Sequence, residues 1–557
     1  MSGLLSIGMR AVEANSAALQ TIGHNIANVN TPGYSRQTVR LESAPGSLTV
    51  GGFIGRGVNI AGVERVYSHF LGTQLNAARA QQAADASRSE KLGVLEKSFP
   101  NGTAGIGMAI GDMLNVFSEV VSAPNDMTAR TIVLTRAQGV SERMRSTQSQ
   151  INDLATGTRF ELNDMASQTN QLLDNIAALN LQITRTQSSG QPSNDLLDSR
   201  EQYVLELNDY IQTTQLMQDD GSLTLFAANQ VMVQGAKACV VSVITDAQDA
   251  SLSRLQLQKE STSYTLDDQL LAGGKIKGLL AFEQNDLSLA KNLCGRLAMT
   301  VGLSVNKQHM AGWDFDGSAG TAMFAVPSQV AGLSTDGAQG NVTFDPVTNF
   351  TKLVASNYVV QMDGTGTGGN VIRQIDGQST AFTDATDLAN QTIDGLKFNF
   401  TSPVSGPGPG KSILFKPFAD AAGSIQSLLS SPRSVAAASL PPAGVIGTTT
   451  PLPVNSGNAK ALLDLRDAQL IDKGKLTDAY ATAVAQIGLR VQSVQFSLDA
   501  SQSIAVSMSE QKARVSSVNL DEEAARLMQF QQAYQASAKI LQIAQRVMDT
   551  MLQELGR

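Results

Sequence analysis

Histidine and cysteine are the side chains that most often ligate metals or act as base and nucleophile, and this chain has three and two of them. His24, His69 and His309 form no His-Glu-x-x-His pair, and no Gly-x-Ser-x-Gly elbow is present. Phosphate-cradling glycines fare no better. Ser405-Gly-Pro-Gly-Pro-Gly410-Lys411-Ser412 resembles a P-loop but opens on Ser, sets Pro407 and Pro409 where N–H groups are needed, and runs into a strand-like Ile-Leu-Phe. Gly364-Thr-Gly-Thr-Gly-Gly369 follows a strand-like run, with no helix after it to present an N-terminus to pyrophosphate. Asp314-Phe-Asp316-Gly317 begins like a calcium loop, yet Ala319 stands at the turn position and Ala325 at the twelfth, where a bidentate Glu is required. The acidic pairs Asp219-Asp220 and Asp267-Asp268 adjoin turns, where Asp is favoured for backbone reasons. The expectation is a chain with no catalytic centre, no metal and no cofactor, hence not an enzyme.

Composition narrows the partners. A net charge of −8 leaves no basic footprint for nucleic acid. No apolar run approaches the roughly 18 residues of a membrane span. Residues 1–28 do not form a cleavable secretory signal, because Arg10, Glu13 and His24 interrupt any apolar core. General secretory logic therefore keeps the chain in the cytoplasm, unless it leaves by a route that needs no cleaved signal. Cys294 falls on an apolar helical stripe and reads as a buried free thiol, while Cys239 says nothing about redox compartment. Hydrophobic residues are 42% of the 557 residues, ample for folded cores, but charged residues are only 16%, below the roughly 25% of ordinary soluble proteins.

The elements that must position whatever the chain does are long helices. From Val133 apolar positions alternate in four- and three-residue steps through Ala137, Val140, Met144, Thr147, Ile151, Leu154 and Thr158. After one extra four-residue step to Leu162 they resume at Met165, Thr169, Leu172, Ile176, Leu179 and Ile183. This predicts one helix of about 50 residues, about 75 Å long, with a stutter at 158–162. A second seam runs from Ile276 through Leu280, Leu287, Cys294 and Val301 to a helix end near His309, and a third from Leu476 to Met508. The ends carry heptads: Leu5, Val12, Leu19 and Ile26 at the N-terminus, and Leu520, Leu527, Tyr534, Leu541 and Met548 at the C-terminus. Companion positions are Met9, Ser16 and Gly23 on the first helix and Phe530, Ser537, Ala544 and Met551 on the last. Residues 311–455 read instead as short β runs divided by Gly, Ser, Thr and Asp, with a Pro-rich return around 432–456, where continuous helix is hard to sustain. The expected fold is α+β in three units. Residues 1–65 and 515–557 make a terminal coiled-coil assembly unit. Residues 66–310 and 456–514 make a helical rod with a small β patch at 214–266. Residues 311–455 are an inserted, mostly β unit.

One local motif remains, Ala27-Asn28-Val29-Asn30-Thr31-Pro32-Gly33-Tyr34-Ser35-Arg36. Pro32 disfavours helix at Thr31, and Pro-Gly sets up a type II turn into an extended run. With the preceding Met1-Ser-Gly-Leu-Leu-Ser-Ile-Gly-Met-Arg-Ala-Val-Glu-Ala and His24-Asn-Ile-Ala, this segment resembles the N-terminal signature of the bacterial flagellar rod, hook and hook-associated protein family. Within that family, Gly52-Phe-Ile-Gly-Arg-Gly-Val58 and Ser193-Asn-Asp-Leu-Leu-Asp-Ser-Arg200 are similar to segments of the hook–filament junction branch. So are Ser517-Val-Asn-Leu-Asp-Glu-Glu-Ala524 and Phe530-Gln-Gln-Ala-Tyr534. The family motif is carried here by Asn28, Thr31, Pro32, Gly33 and Tyr34.

The resemblance implies a structural subunit exported through the flagellar type III pathway, which needs no cleaved signal. It further implies a ring-like homo-oligomer between the hook protein and a second junction protein, with an export chaperone on the C-terminal helix before assembly. The residues alone point the same way. Leu5, Val12, Leu19 and Ile26 are expected to face Leu527, Tyr534, Leu541 and Met548, with small companions allowing close approach. Such terminal helices are marginal alone and order when partners cover them. An extracellular adhesin on a helical stalk, and a hook or rod subunit, are the competing readings.

Overall fold

The computed structural model describes residues 2–49, 52–189, 193–344, 350–403, 406–439 and 454–555. Its helices, in chain order, are α1 (Ser2–Ala27), α2 (His69–Lys97), α3 (Ile106–Asn115), α4 (Phe117–Ser122), α5 (Met127–Ser188), α6 (Asn194–Tyr210) and α7 (Lys275–Ala281). There follow α8 (Ser288–Met310), α9 (Ala385–Asn390), α10 (Ala421–Ser424), α11 (Gly457–Asp464), α12 (Leu476–Ser516) and α13 (Leu520–Leu555). An antiparallel strand pair, Gln37–Ser43 with Val58–Arg65, follows α1 and carries a register shift between Arg40 and Leu41. Long terminal helices thus enclose a β-rich centre.

The axis of the molecule is α5, whose 62 residues span about 93 Å. It outruns the apolar seam because Asp126 caps its start by accepting the Thr128 N–H at 2.7 Å, and no proline falls before Ser188. Two separate cores share this helix. One contains Val133 to Ile151 of α5 with residues of α2, α3, α8 and α12; the other contains Leu162 to Ala177 with α6, α7 and the strands of 214–266. The stutter lies at the handover. Thr158 is fully buried there and returns its hydroxyl to Leu154 O at 2.8 Å, so the helix turns its apolar stripe from one core toward the other.

The β patch hairpin Leu223–Ala227 and Gln230–Gln234 turns through Ala228 and Asn229, both at positive φ (46° and 62°), the backbone that a tight hairpin needs. Its anchor is Asn180 of α5. The Asn180 amide donates to Leu223 O and Gly235 O and accepts from Leu223 N and Arg200 Nη1, so all its capacity is used. Between α7 and α8 a π-helical turn, Phe282–Leu287, aims two buried carboxylates at different elements. Glu283 accepts the Ser253 N–H and hydroxyl from the β patch. Asp286 accepts Arg88 from α2 at 2.8 and 3.0 Å and Arg490 from α12 at 3.0 Å.

The inserted unit holds a five-stranded antiparallel sheet, ordered Leu333–Ser334, Ser412–Phe415, Tyr358–Met362, Gly369–Arg373, Ser379–Phe382, beside a three-stranded one. Phe398 packs between Tyr358 and Phe415, with ring centroids 5.5 and 5.4 Å away. The apolar cores do not follow the boundaries at 310/311 and 455/456. Met323, Phe324, Phe415, Phe418 and Ile425 belong to the same core as α8 and α12. Gly295 is why: a Cβ there would meet Phe418 O at 1.9 Å, so the bare backbone of α8 receives the insertion directly. Most of the Pro-rich return, residues 440–453, lies outside the described residues. The periodic reading passes over α2 altogether, because between its buried leucines, Leu75 and then Leu92 and Leu95, the buried face is Asn76, Ala80, Ala83, Ala84 and Ser87, which carry little hydropathy contrast.

Leu173, fully buried in the second core, tests the independence of the two. Leu173→Ala is expected to cost about 2–5 kcal/mol. Hydrogen exchange should show the protection lost across 214–266 and retained across 323–425.

Candidate assembly interface

The terminal motif begins where α1 stops. Tyr34 N donates to Thr31 O at 3.2 Å across Pro32 and Gly33, and Gly33 sits at φ 80°, which is the type II turn that the Pro-Gly pair predicts. The turn folds Tyr34 back onto the helix end. Its hydroxyl donates to Asn25 Oδ1 at 2.7 Å and lies 3.0 Å from His24 Nδ1. Asn28 Nδ2 donates to His24 O, and Thr31 Oγ1 donates to Asn28 Oδ1, so the motif residues chiefly shape this turn.

Asn25, which the sequence reading did not single out, is the centre of the site. It is 1% exposed and makes four hydrogen bonds. Its amide nitrogen donates to Gln37 O at 2.9 Å and Glu523 Oε2 at 3.0 Å; its oxygen accepts Tyr34 OH and Gln37 N. One side chain therefore ties α1, the first strand and α13 together. Around it converge three stretches of chain that the sequence shows far apart. From α6, Asp198 accepts Ser35 N at 3.0 Å, Asp195 accepts Gln37 Nε2 at 3.1 Å, and Asn194 donates to Val63 O at 2.9 Å. From the α12–α13 junction, Ser516 O accepts Arg36 N, and Glu522 pairs with Arg36 at 3.2 Å. Asn519 caps α13 by accepting Asp521 N at 3.0 Å.

The electrostatics are those of a fixed joint. Arg65 forks between Asp198 at 2.6 Å and Glu201 at 2.8 Å. Burial raises the Glu201 carboxyl above its ordinary value despite that arginine. Burial, then Asp195, Asp198 and Glu523, hold the Tyr34 phenol far above its usual range, so it stays protonated as a donor. Arg200 is 1% exposed and donates to Asn180 Oδ1 and Gly221 O, with burial lowering its guanidinium to about 10. Asn194, Asp195 and Asp198 thus hold the terminal unit while Arg200 holds the β patch.

Beyond the joint, α1 and α13 pair antiparallel. Asn15 donates to Ser537 Oγ at 3.1 Å, and a Cβ on Gly8 would sit 3.0 Å from Leu541 Cγ. The centre of this contact is a line of mostly small or polar residues, Ala14, Ala18 and Asn25 with one larger side chain, Ile22, against Glu523, Ser537 and Ala544, all buried. The predicted heptad lines fall on its flanks. Leu5, Val12, Leu19 and Ile26 are half-buried, as are Leu527, Phe530 and Leu541. Leu520, Tyr534 and Met548 are exposed, at 50%, 38% and 43%, so they do not line the seam within one chain. Small residues let the helices close, and the larger side chains are pushed to either side of the contact. Gly23, predicted to assist close approach, faces open space.

Along the flank opposite the heptad line, α13 exposes Ile540, which borders Gly8, and Ile543, Val547 and Met551, while α1 exposes Leu4 and Met9. Among the described residues no cluster of His, Cys, Asp or Glu could hold a metal. The calcium-like Asp314 accepts the Asp316 and Ser318 N–H groups, and Asp316 pairs with Arg433, so those carboxylates serve a turn. Gly364 to Gly369 forms a hairpin turn entering a strand, and the glycines from Gly406 to Gly410 lead into another strand; Ser405 lies outside the described residues. Both cysteines are free and buried, and burial pushes the Cys294 thiol up to about 12.

The paired ends define the class. Residues 5–34 match the family described as flagella basal body rod protein, and 513–554 the flagellar basal body rod FlgEFG protein C-terminal. Residues 92–324 match the flagellar hook-associated protein FlgK helical domain. Flagellar hook-associated protein 1 of Salmonella typhimurium is 31% identical over 99% of this chain and 100% of its own length; that of Escherichia coli K12 is 30% identical over the same shares. The chain belongs to the flagellar hook-associated protein 1 family. Its fold is that of the flagellar hook junction protein FlgK from Burkholderia pseudomallei (TM-score 0.71, 21% identity), covering 80% of this chain and 100% of that one.

Asn25→Ala removes both the acceptor and the donor at the centre of the joint. At about 1–3 kcal/mol per stranded buried group, the loss should weaken the hold on α1. Limited proteolysis should then cut within residues 2–34 of the variant far faster than in the wild type, with 92–324 equally resistant in both.

Proposed function

We propose that this chain is a structural subunit of the hook–filament junction that polymerises through its paired terminal helices and is needed for filament assembly. The observation that carries this is the apolar stripe Ile540, Ile543, Val547 and Met551, left 42–52% exposed along α13 by the described residues of its own chain. Full burial of an aliphatic side chain is worth about 1.5–3 kcal/mol. Covering the exposed half of these four is then worth about 3–6 kcal/mol, against an association cost of about 4–15 kcal/mol. One stripe thus meets only the low end of that cost, and contact with several neighbours on a preformed hook tip adds to it. This favours a free monomer and an assembled ring. On this reading the neighbours are further copies, the hook protein below and a second junction protein above. An export chaperone covers the stripe of α13 beforehand, and export runs through the flagellar type III route. The chain acts by holding geometry, not by catalysis.

Ile543→Asp and Leu541→Asp separate the outer stripe from the inner pairing. Ile543→Asp should leave α1–α13 protection and the thermal unfolding of the body unchanged, yet abolish incorporation at hook tips and filament growth. Leu541→Asp, on the flank of the pair, should lose α1 protection as well. Normal junctions in electron micrographs of cells carrying Ile543→Asp would sink the proposal.

A further inference from the structure

The chain leaves the helical body at the end of α8 and returns through 435–438, a strap whose residues are all 0–1% exposed. Ala438 pairs with Trp313, but the three residues before it belong to no sheet. Buried backbone of that kind must find partners elsewhere. Arg130 of α5 donates from Nη1 to Val435 O at 2.7 Å. Asn458 of α11 donates from Nδ2 to Ala436 O at 2.6 Å, and the N–H groups of Asn458 and Ala459 both reach Ala437 O at 3.0 Å. The N–H of Ala436 donates to His309 Nε2 at 2.9 Å, while His309 Nδ1 lies 2.6 Å from Thr321 O.

This geometry fixes both the tautomer and the charge of His309. Nε2 accepts an amide proton, so the ring proton is on Nδ1, facing the Thr321 carbonyl. A second proton on Nε2 would set donor against donor in a site with no solvent, since His309 is 0% exposed. The charged groups around it offer Nε2 no acceptor. Asp314 favours the charged ring from a distance, and Arg130 is committed to Val435 O and Pro124 O. Arg433 and Asp316 pair with each other beside Phe315. Lys307 of the same helix lies over the Phe350 ring, and Lys460 of α11 pairs with Asp464.

We propose that His309 is a proton-operated latch: neutral, it holds the strap at the root of the insertion, and mild acid releases 435–438 together with the paired outgoing chain at 312–321. Burial keeps the closed-state imidazole below its ordinary value of 6.5. Above about pH 6.5 the ring is neutral whether the latch is closed or open, and closure contributes in full. Below it the open form binds a proton that the closed form does not, so closure weakens about tenfold per pH unit until the buried ring itself protonates.

Hydrogen-exchange mass spectrometry on the full chain at about pH 7.5 and about pH 5.5, with rates corrected for intrinsic exchange, tests this. Peptides covering 432–439 and 312–321 should lose protection about tenfold at the lower pH, while 92–120 keeps its own. His309→Gln, which retains an acceptor for Ala436 N–H and cannot be protonated, should show no such difference. Equal protection at both values in the wild type, or the same loss in His309→Gln, overturns the latch. Histidine ¹⁵N NMR of the wild type gives a second readout independent of that variant's folding. An Nδ1–H ring that does not titrate in the closed form supports the latch, and an Nε2–H ring or ordinary titration near 6.5 refutes it.

Discussion

A helix pair without a core of its own has to be aimed by something else, and here the aiming is done by one buried amide. Neither α1 nor α13 contributes to the two large apolar cores. What sets their direction relative to each other is Asn25, whose four hydrogen bonds reach Gln37 on the first strand, Tyr34 in the turn after α1 and Glu523 on α13. A buried amide with every donor and acceptor used tolerates little displacement, because each misplaced bond exposes a polar group to apolar surroundings. The ion pairs of Arg65 extend the same constraint to α6, and Arg200 carries it from there to the β patch. The terminal unit is held by polar geometry, and the body by apolar packing.

The body depends in turn on α5 being continuous. Because one helix serves both cores, a rotation of either about its axis is transmitted to the other, and the step at 158–162 sets their angular offset. The π turn between α7 and α8 repeats that logic with charge. Glu283 faces one core's strands and Asp286 the other core's helices. The insertion joins the first core through Gly295 and Phe418 and does not hang from a flexible tether.

Much of this was legible in the residues, for stated physical reasons. The α5 seam shows because Val, Ile, Leu and Met recur at helical spacing against a polar background, and the Pro32–Gly33 turn shows because only that pair fits its two backbone conformations. The heptads at the two ends predict pairing but not which line is central. Periodicity weights a position by hydropathy, and the contact is centred by size, on Ala14, Ala18, Ser537 and Ala544. For the same reason α2, whose buried leucines are separated by a run of alanine, asparagine and serine, leaves little periodic trace. The joint at Asn25 was illegible as a unit because its members lie up to 498 residues apart, though three of the stretches that build it stood out individually as motifs.

The main chain of the strap at 435–438 is gripped by side chains and amides of elements outside it, and its Val435 and Ala437 side chains pack in the first core. Three of the four residues held are alanines, and Ala436 lies so close to Gly320 that a Cβ there would meet its own at 2.8 Å. The helical body therefore works as a keyed socket, fixing where the backbone of the inserted unit re-enters and admitting only small side chains beside it.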